Sequence, residues 1–145
     1  MSRDAIFTTD APAAVGPYSQ GIVQELGSQG TGGATRIVFC SGQLGLDPAS
    51  GELVEGCEAQ ADRALSNLAA VLAAAGSSWA DVVKTTVFLA DIGDFGLVNA
   101  VYARHVPDPP PARSTFAGGA LPKGGLVEIE AIAVLPARPE GRRAV

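Results

Sequence analysis

The run Val127-Glu128-Ile129-Glu130-Ala131-Ile132-Ala133-Val134 constrains the fold of this chain more than any other segment. Side chains alternate along a strand, so Val127, Ile129, Ala131 and Ala133 point one way and Glu128, Glu130, Ile132 and Val134 the other. Both faces therefore carry apolar groups. Arg36-Ile37-Val38-Phe39-Cys40 has the same two-sided character. A sheet built around such strands must be covered on both sides, because water against either face wastes apolar area.

Helices supply one cover. Ala61, Ala64, Leu65, Leu68, Leu72 and Ala75 recur at steps of three and four, with Asp62, Arg63, Ser66 and Asn67 opposite, and Gly76 stands where a glycine ends a helix. The spacing predicts an amphipathic helix over Glu58–Ala75. A shorter one is expected from Phe95 to about His105, with Asp94 as N-cap and Phe95, Val98, Val101, Tyr102 and His105 near one face. Asp81–Leu89 reads as the strand between them. Tyr18–Leu26 and Arg36–Cys40 read as two earlier strands joined by a glycine-rich hairpin loop, Gly27–Thr35, which lacks a Walker lysine and a following helix to cradle phosphate. The proline-broken segment 136–145 reads as a flexible C-terminal tail after one domain over 1–135.

The order strand, strand, helix, strand, helix, strand predicts an α+β domain: a mixed β-sheet with two helices packed on one face. The second face is left for a partner, so the two-sided strands predict a homo-oligomer. A chain of 145 residues that is 47% hydrophobic suffices for one core and not for two domains. It contains no apolar run of the roughly 18 residues that span a membrane and no secretory leader, so a cytoplasmic protein with no membrane partner is expected. The two cysteines, Cys40 and Cys57, and the one histidine, His105, cannot assemble a soft-ligand metal cluster, so no metal and no cofactor are expected. A net charge of −5 opposes phosphate backbones and makes nucleic acid an unlikely partner.

Two residue types carry chemistry. Arg113, in Pro109-Pro110-Pro111-Ala112-Arg113-Ser114-Thr115, presents paired donors suited to gripping a carboxylate. Glu128 and Glu130 share a face of the last strand, and either can hold a water or a transferable proton. The bland alternative is an exposed arginine, or one in a structural ion pair, beside two solvated glutamates. Parity along the strand does not choose between the glutamates. Ser41 is not a hydrolase nucleophile, since Cys40-Ser41-Gly42 makes no GxSxG elbow.

The motifs Pro12-Ala13-Ala14-Val15-Gly16-Pro17-Tyr18-Ser19-Gln20, Cys40-Ser41-Gly42-Gln43-Leu44, Asp47-Pro48, Gly51-Glu52, Val82-Val83-Lys84-Thr85-Thr86-Val87-Phe88-Leu89, Asp94-Phe95, Val98-Asn99-Ala100-Val101-Tyr102, Pro111-Ala112-Arg113-Ser114, Leu121-Pro122-Lys123-Gly124 and Val127-Glu128-Ile129-Glu130 follow one another in order. In that order the chain resembles the RidA/YjgF family of reactive-intermediate (enamine/imine) deaminases, from about Ala11 to Val134. The resemblance implies a chorismate-mutase-like subunit in a homotrimer, sheets inward and helices outward, with active sites in the clefts between neighbours. It also implies hydrolysis of 2-imino acids, derived from enamines such as 2-aminoacrylate, to 2-oxo acids and ammonia, without metal or organic cofactor.

Carried over by position, the resemblance makes Arg113 the receptor for the substrate carboxylate and Glu128 the residue that orients water and shuttles a proton. It leaves Glu130 as a salt-bridge or structural carboxylate. It puts Ser41, Gly42 and Thr115 against the substrate and water, and has Tyr18 close the pocket across the subunit interface. Tyr18 as a core tyrosine is the alternative. Asn99, polar in an apolar helical setting, is expected to be a buried hydrogen-bonding residue that holds a loop and supports the site. Thr115 stands where many members have cysteine, and the Gly27–Thr35 loop is longer than usual. Two other functions compete: a ribonuclease or translation-inhibiting RNA binder, and a non-catalytic trimer that binds small carboxylates.

Overall fold

The computed structural model describes residues 1–27 and 33–136. The middle of the expected hairpin loop and nearly all of the expected tail lie outside the described residues. Eight elements follow in order: β1 (Arg3–Ile6), β2 (Gly21–Glu25), β3 (Arg36–Leu44), α1 (Cys57–Ala74), β4 (Val82–Leu89), α2 (Phe95–Ala103), β5 (Ala112–Ala117) and β6 (Val127–Leu135). The strands form one sheet in the order β1-β2-β3-β6-β4-β5. Every pair is antiparallel except β4 and β5, whose parallel pairing uses α2 as its crossover. The fold is α+β, a mixed sheet with both helices on one face.

That face holds the core. Val127, Ile129, Ala131, Ala133 and Leu135 of β6 are buried beneath Ala61, Ala64, Leu65, Leu68, Val71 and Leu72 of α1 and Val98 and Val101 of α2. Each large aliphatic side chain withdrawn from water here contributes about 1.5–3 kcal/mol. The helix α1 ends as its glycine predicts. Gly76 takes φ 74°, its N–H reaches the Ala73 carbonyl at 2.9 Å, and the Ser77 N–H reaches the Leu72 carbonyl at 2.9 Å. These two bonds satisfy carbonyls that the helix leaves over.

Other expectations need correction. The helix α2 stops at Ala103, and Asp94 makes no side-chain capping bond. Asp91 caps instead, accepting from the Gly93 N–H at 2.8 Å at the start of the 3-10 turn that leads into α2. β3 does not end at Cys40 but runs on to Leu44, through an irregularity between Cys40 and Gln43 that shifts its register with β6. β1 and β5, at the two edges of the sheet, are strands that the periodicity does not predict.

The second sheet face bears no helix. Ile22, Phe39 and Ile132 lie side by side across β2, β3 and β6, and Phe88 and Phe116 across β4 and β5. Phe39 is 44% exposed and Phe116 62%. Among the described residues no helix is long and apolar enough to cross a membrane.

Buried polar side chains fix the connections. Asn67 of α1 donates to the Leu44 and Leu46 carbonyls at 3.1 and 2.8 Å, locking the end of β3 to the helix. Gln60 accepts from the Leu126 N–H at 2.9 Å and donates to the Val54 carbonyl at 3.0 Å. Gln20 accepts from the Thr8 N–H at 2.8 Å and donates to the Pro12 carbonyl at 2.9 Å. Through Gln20 the two ends of the loop that carries Tyr18, between β1 and β2, are tied together.

Candidate functional site

Arg113 lies on the edge strand β5, opposite Thr85 of β4, and so faces the helices. Phe95, Asn99 and Tyr102 follow one another at four- and three-residue steps along α2 and form one stripe. The Arg113 guanidinium carbon stands 4.7 Å from the centre of the Tyr102 ring and 5.7 Å from that of Phe95, and Nη2 donates to Asn99 Oδ1 at 2.7 Å. Tyr102 is held in turn by a buried 2.7 Å hydrogen bond between its hydroxyl and Thr85 Oγ1. Two rings and an amide thus fix the guanidinium while leaving donors over for a ligand. No carboxylate of the described residues pairs with it. Thr115 lies beside it in a small recess with Val87, Leu89 and Val98. A cavity of about 580 Å³ opens along Tyr102, Val106, Pro107, Pro110, Pro111 and Arg113.

Asn99 is therefore not the buried, loop-holding residue expected. It is exposed, and its partner is Arg113. The aromatic platform was not anticipated either, because Phe95 and Tyr102 read from their spacing only as members of one helix face with Val98, Val101 and His105. The signal that would have found it is Asn99 between them on the same stripe.

Glu128 occupies the other face of the sheet, between Leu44 of β3 and Phe88 of β4. It lines a cavity of about 180 Å³ with Pro12, Val15, Tyr18, Gly42 and Lys123. Gly42 is required there, since a Cβ at that position would run into the Glu128 carboxyl. Burial, and after it the charge of Glu130, hold the Glu128 carboxyl above the ordinary glutamate range. Tyr18 is not a core tyrosine. It is 51% exposed, accepts from the Val15 N–H at 3.3 Å, and walls the cavity of its own chain's Glu128.

Ser41 is committed to structure. Its hydroxyl donates to the Ser19 carbonyl at 2.6 Å and its N–H to the Gln20 carbonyl at 3.0 Å, so neither donor is left for a ligand. Of the two roles left to Glu130, salt-bridge or structural carboxylate, the first has no partner within the described residues, where no cation pairs with it.

The expected residues thus form two groups. Arg113, Asn99 and Thr115 gather on the helix side of β5, while Tyr18, Gly42 and Glu128 gather on the bare side of β3 and β6, with β4 between β5 and β6. One chain does not bring the guanidinium and the carboxyl together. The thiols lie outside both groups and are poor nucleophiles: burial pushes Cys40 up to about 12, and burial followed by the nearby Asp94 pushes Cys57 up to about 11. Among the described residues no three His, Cys, Asp or Glu side chains gather to hold a metal ion.

Known proteins share both the sequence and the fold. The family model described as endoribonuclease L-PSP matches residues 8–135. The 2-iminobutanoate/2-iminopropanoate deaminase of Bos taurus is 50% identical over 135 residues, which cover 92% of this chain and 91% of that protein. The crystal structure of RidA from the Antarctic bacterium Psychrobacter sp. PAMC 21119 superimposes with a TM-score of 0.79 at 44% identity, covering 91% of this chain and 99% of that one. The structure of E. coli TdcF with bound serine does so with a TM-score of 0.77 at 38% identity, covering 91% and 98%. A match over nearly the whole length, together with a half-identical relative, places this chain in the RidA/YjgF family.

Proposed function

We propose that the protein hydrolyses small 2-imino acids, 2-iminobutanoate and 2-iminopropanoate among them, to 2-oxo acids and ammonia, in clefts between the subunits of a homotrimer. The observation that carries this reading is a pair of groups unspent among the described residues: a held guanidinium with no carboxylate and a half-buried carboxyl with no cation, on opposite faces of one sheet. A copy that covers the bare face of its neighbour can set its Arg113 against the neighbour's Glu128. The deaminase name of a half-identical relative and the serine bound by TdcF support a substrate of amino-acid size.

The chemistry follows from these groups. Arg113 binds the substrate carboxylate through two parallel hydrogen bonds and orients the C=N carbon toward the water beside Glu128. Water adds to that carbon of the protonated imine (C=NH2+) as its proton passes to the Glu128 carboxylate, giving a neutral 2-amino-2-hydroxy acid. Glu128 returns the proton to the amino nitrogen. The C–N bond then breaks as the C=O bond forms, ammonia departs, and the hydroxyl proton leaves with it as ammonium. A carboxyl held above its usual range suits both transfers, since it gives and takes a proton closer to neutral pH.

The test is the rate of ammonia and 2-oxo acid release from 2-iminobutanoate generated in situ. Arg113→Ala removes a charge-assisted contact of about 1.5–3 kcal/mol and should cost about ten- to a hundredfold in kcat/KM. A folded, assembled Arg113→Ala protein that keeps the wild-type rate would refute the site. A wild-type protein inert toward several imino acids would leave a carboxylate binder without turnover.

A further inference from the structure

Glu130 follows Glu128 by two residues on β6, so the pleat sets both side chains on the bare face about 7 Å apart. Each is half-buried. Thr86 pairs opposite Glu130 and Phe88 opposite Glu128, so β4 places no charge directly beside either. Two lysines are near enough to matter, and both are turned elsewhere. Lys84, on the same face of β4, donates from Nζ to Ser114 Oγ at 2.7 Å, toward the sheet edge. Lys123 lines the Glu128 cavity with its stem but donates from Nζ to the Gly51 carbonyl at 3.0 Å. Its backbone sits in the left-handed region at φ 57°, which a residue other than glycine adopts at a cost. Tyr18 is the other titratable group in the cavity, and β3 contributes Gly42 and Leu44 there. Neither lysine comes within 4.0 Å of a carboxylate oxygen, and neither glutamate has an ionic partner among the described residues.

We propose that Glu130 is a positioning residue for the deamination, a role that rests on the reading of Glu128 as its proton carrier and of the neighbour's Arg113 as the carboxylate receptor: its carboxylate, on the same face and paired with neither Lys84 nor Lys123, offsets the pull of that guanidinium and keeps the Glu128 carboxyl able to return a proton to the departing nitrogen. The proposed reaction asks one group to act as base and then as acid. Burial alone would push Glu128 in the right direction. A second carboxylate on the same face adds a repulsion that a neutral isostere would abolish, and the direction in which Glu128 is displaced agrees with both causes.

The experiment is a carbon-13 carboxyl NMR titration of the full-length, glutamate-labelled protein, with the Glu128 signal assigned by its loss in Glu128→Gln. In Glu130→Gln the Glu128 carboxyl should titrate at lower pH than in the wild type, and the acidic limb of kcat/KM should move the same way. Glu130→Asp, which keeps the charge, should stay close to the wild type. An unmoved Glu128 titration in Glu130→Gln overturns the proposal, as does a Glu130→Asp protein that shifts as far as the glutamine variant. Because the titration needs no turnover, an inert wild-type protein would sink the deaminase reading while the coupling between the carboxyls was still read. Should Glu130→Gln fail to assemble, the Glu128 titration of Arg113→Ala at rising salt measures the same repulsion with the facing guanidinium removed: a downward shift supports it and no shift refutes it.

Discussion

Arg113 is held by three side chains of one helix, and two of them, Asn99 and Tyr102, do different jobs. Asn99 spends its amide oxygen on the guanidinium, and Tyr102 lends its ring while its hydroxyl bonds the buried Thr85. The two can be separated by substitution. Asn99→Ala removes a bond to a charged group from an exposed position, so activity should fall about tenfold or more with the melting temperature nearly unchanged. Tyr102→Phe keeps the ring and strands the Thr85 hydroxyl in the core, so stability should drop by about 1–3 kcal/mol while the KM for the imino acid changes little. Calorimetry beside steady-state kinetics checks both; the reverse pattern would mean that the ring edge, and not the amide, orients the guanidinium. Arg113 and the pair Glu128 and Glu130 were legible as candidates because their residue types carry the chemistry wherever they sit, and only the family resemblance chose Glu128 from the pair. The partner of Asn99 was not, because a polar residue in an apolar helix announces that it is bonded without saying to what.

Among the elements, α1 was legible almost to the residue, since six small or aliphatic positions at helical spacing and a terminal glycine all give one answer. Gly76→Ala tests that ending: at φ 74° an alanine should cost about 1–2 kcal/mol, read as a lowered midpoint in denaturant with an unchanged m-value. The edge strands were not legible. β5 alternates exposed and half-buried positions behind a run of prolines, and β1 is four residues with a single buried side chain, so neither shows the apolar alternation that betrays a strand. Their strand character comes from pairing with β4 and β2. The missed strand β5 is the one that carries Arg113, so the side of the sheet on which the guanidinium lies emerged only from its register with Thr85. The extension of β3 was hidden for a related reason. The apolar run ends at Cys40, before Ser41-Gly42, whereas the structure uses the missing side chain of Gly42 to let the Glu128 carboxyl lie close against the strand.

At the scale of the whole molecule, the two-sided apolar pattern of β3 and β6 told correctly that helices cover only half of what needs covering, and Phe39 and Phe116 remain exposed on the other half. The division of the candidate site between the two faces reaches beyond structure into genetics. If each working cleft takes Arg113 from one copy and Glu128 from its neighbour, a gene for Arg113→Ala and a gene for Glu128→Gln, each silent alone, should complement when expressed together. Random mixing would leave about one cleft in four with both intact residues, so co-expressed protein should recover roughly a quarter of wild-type activity, and separately purified trimers that do not exchange subunits should recover none. The same arithmetic makes neither allele dominant beyond its dosage: mixed equally with wild type, either leaves about one cleft in two intact, because a defective copy spoils one cleft and still serves the other.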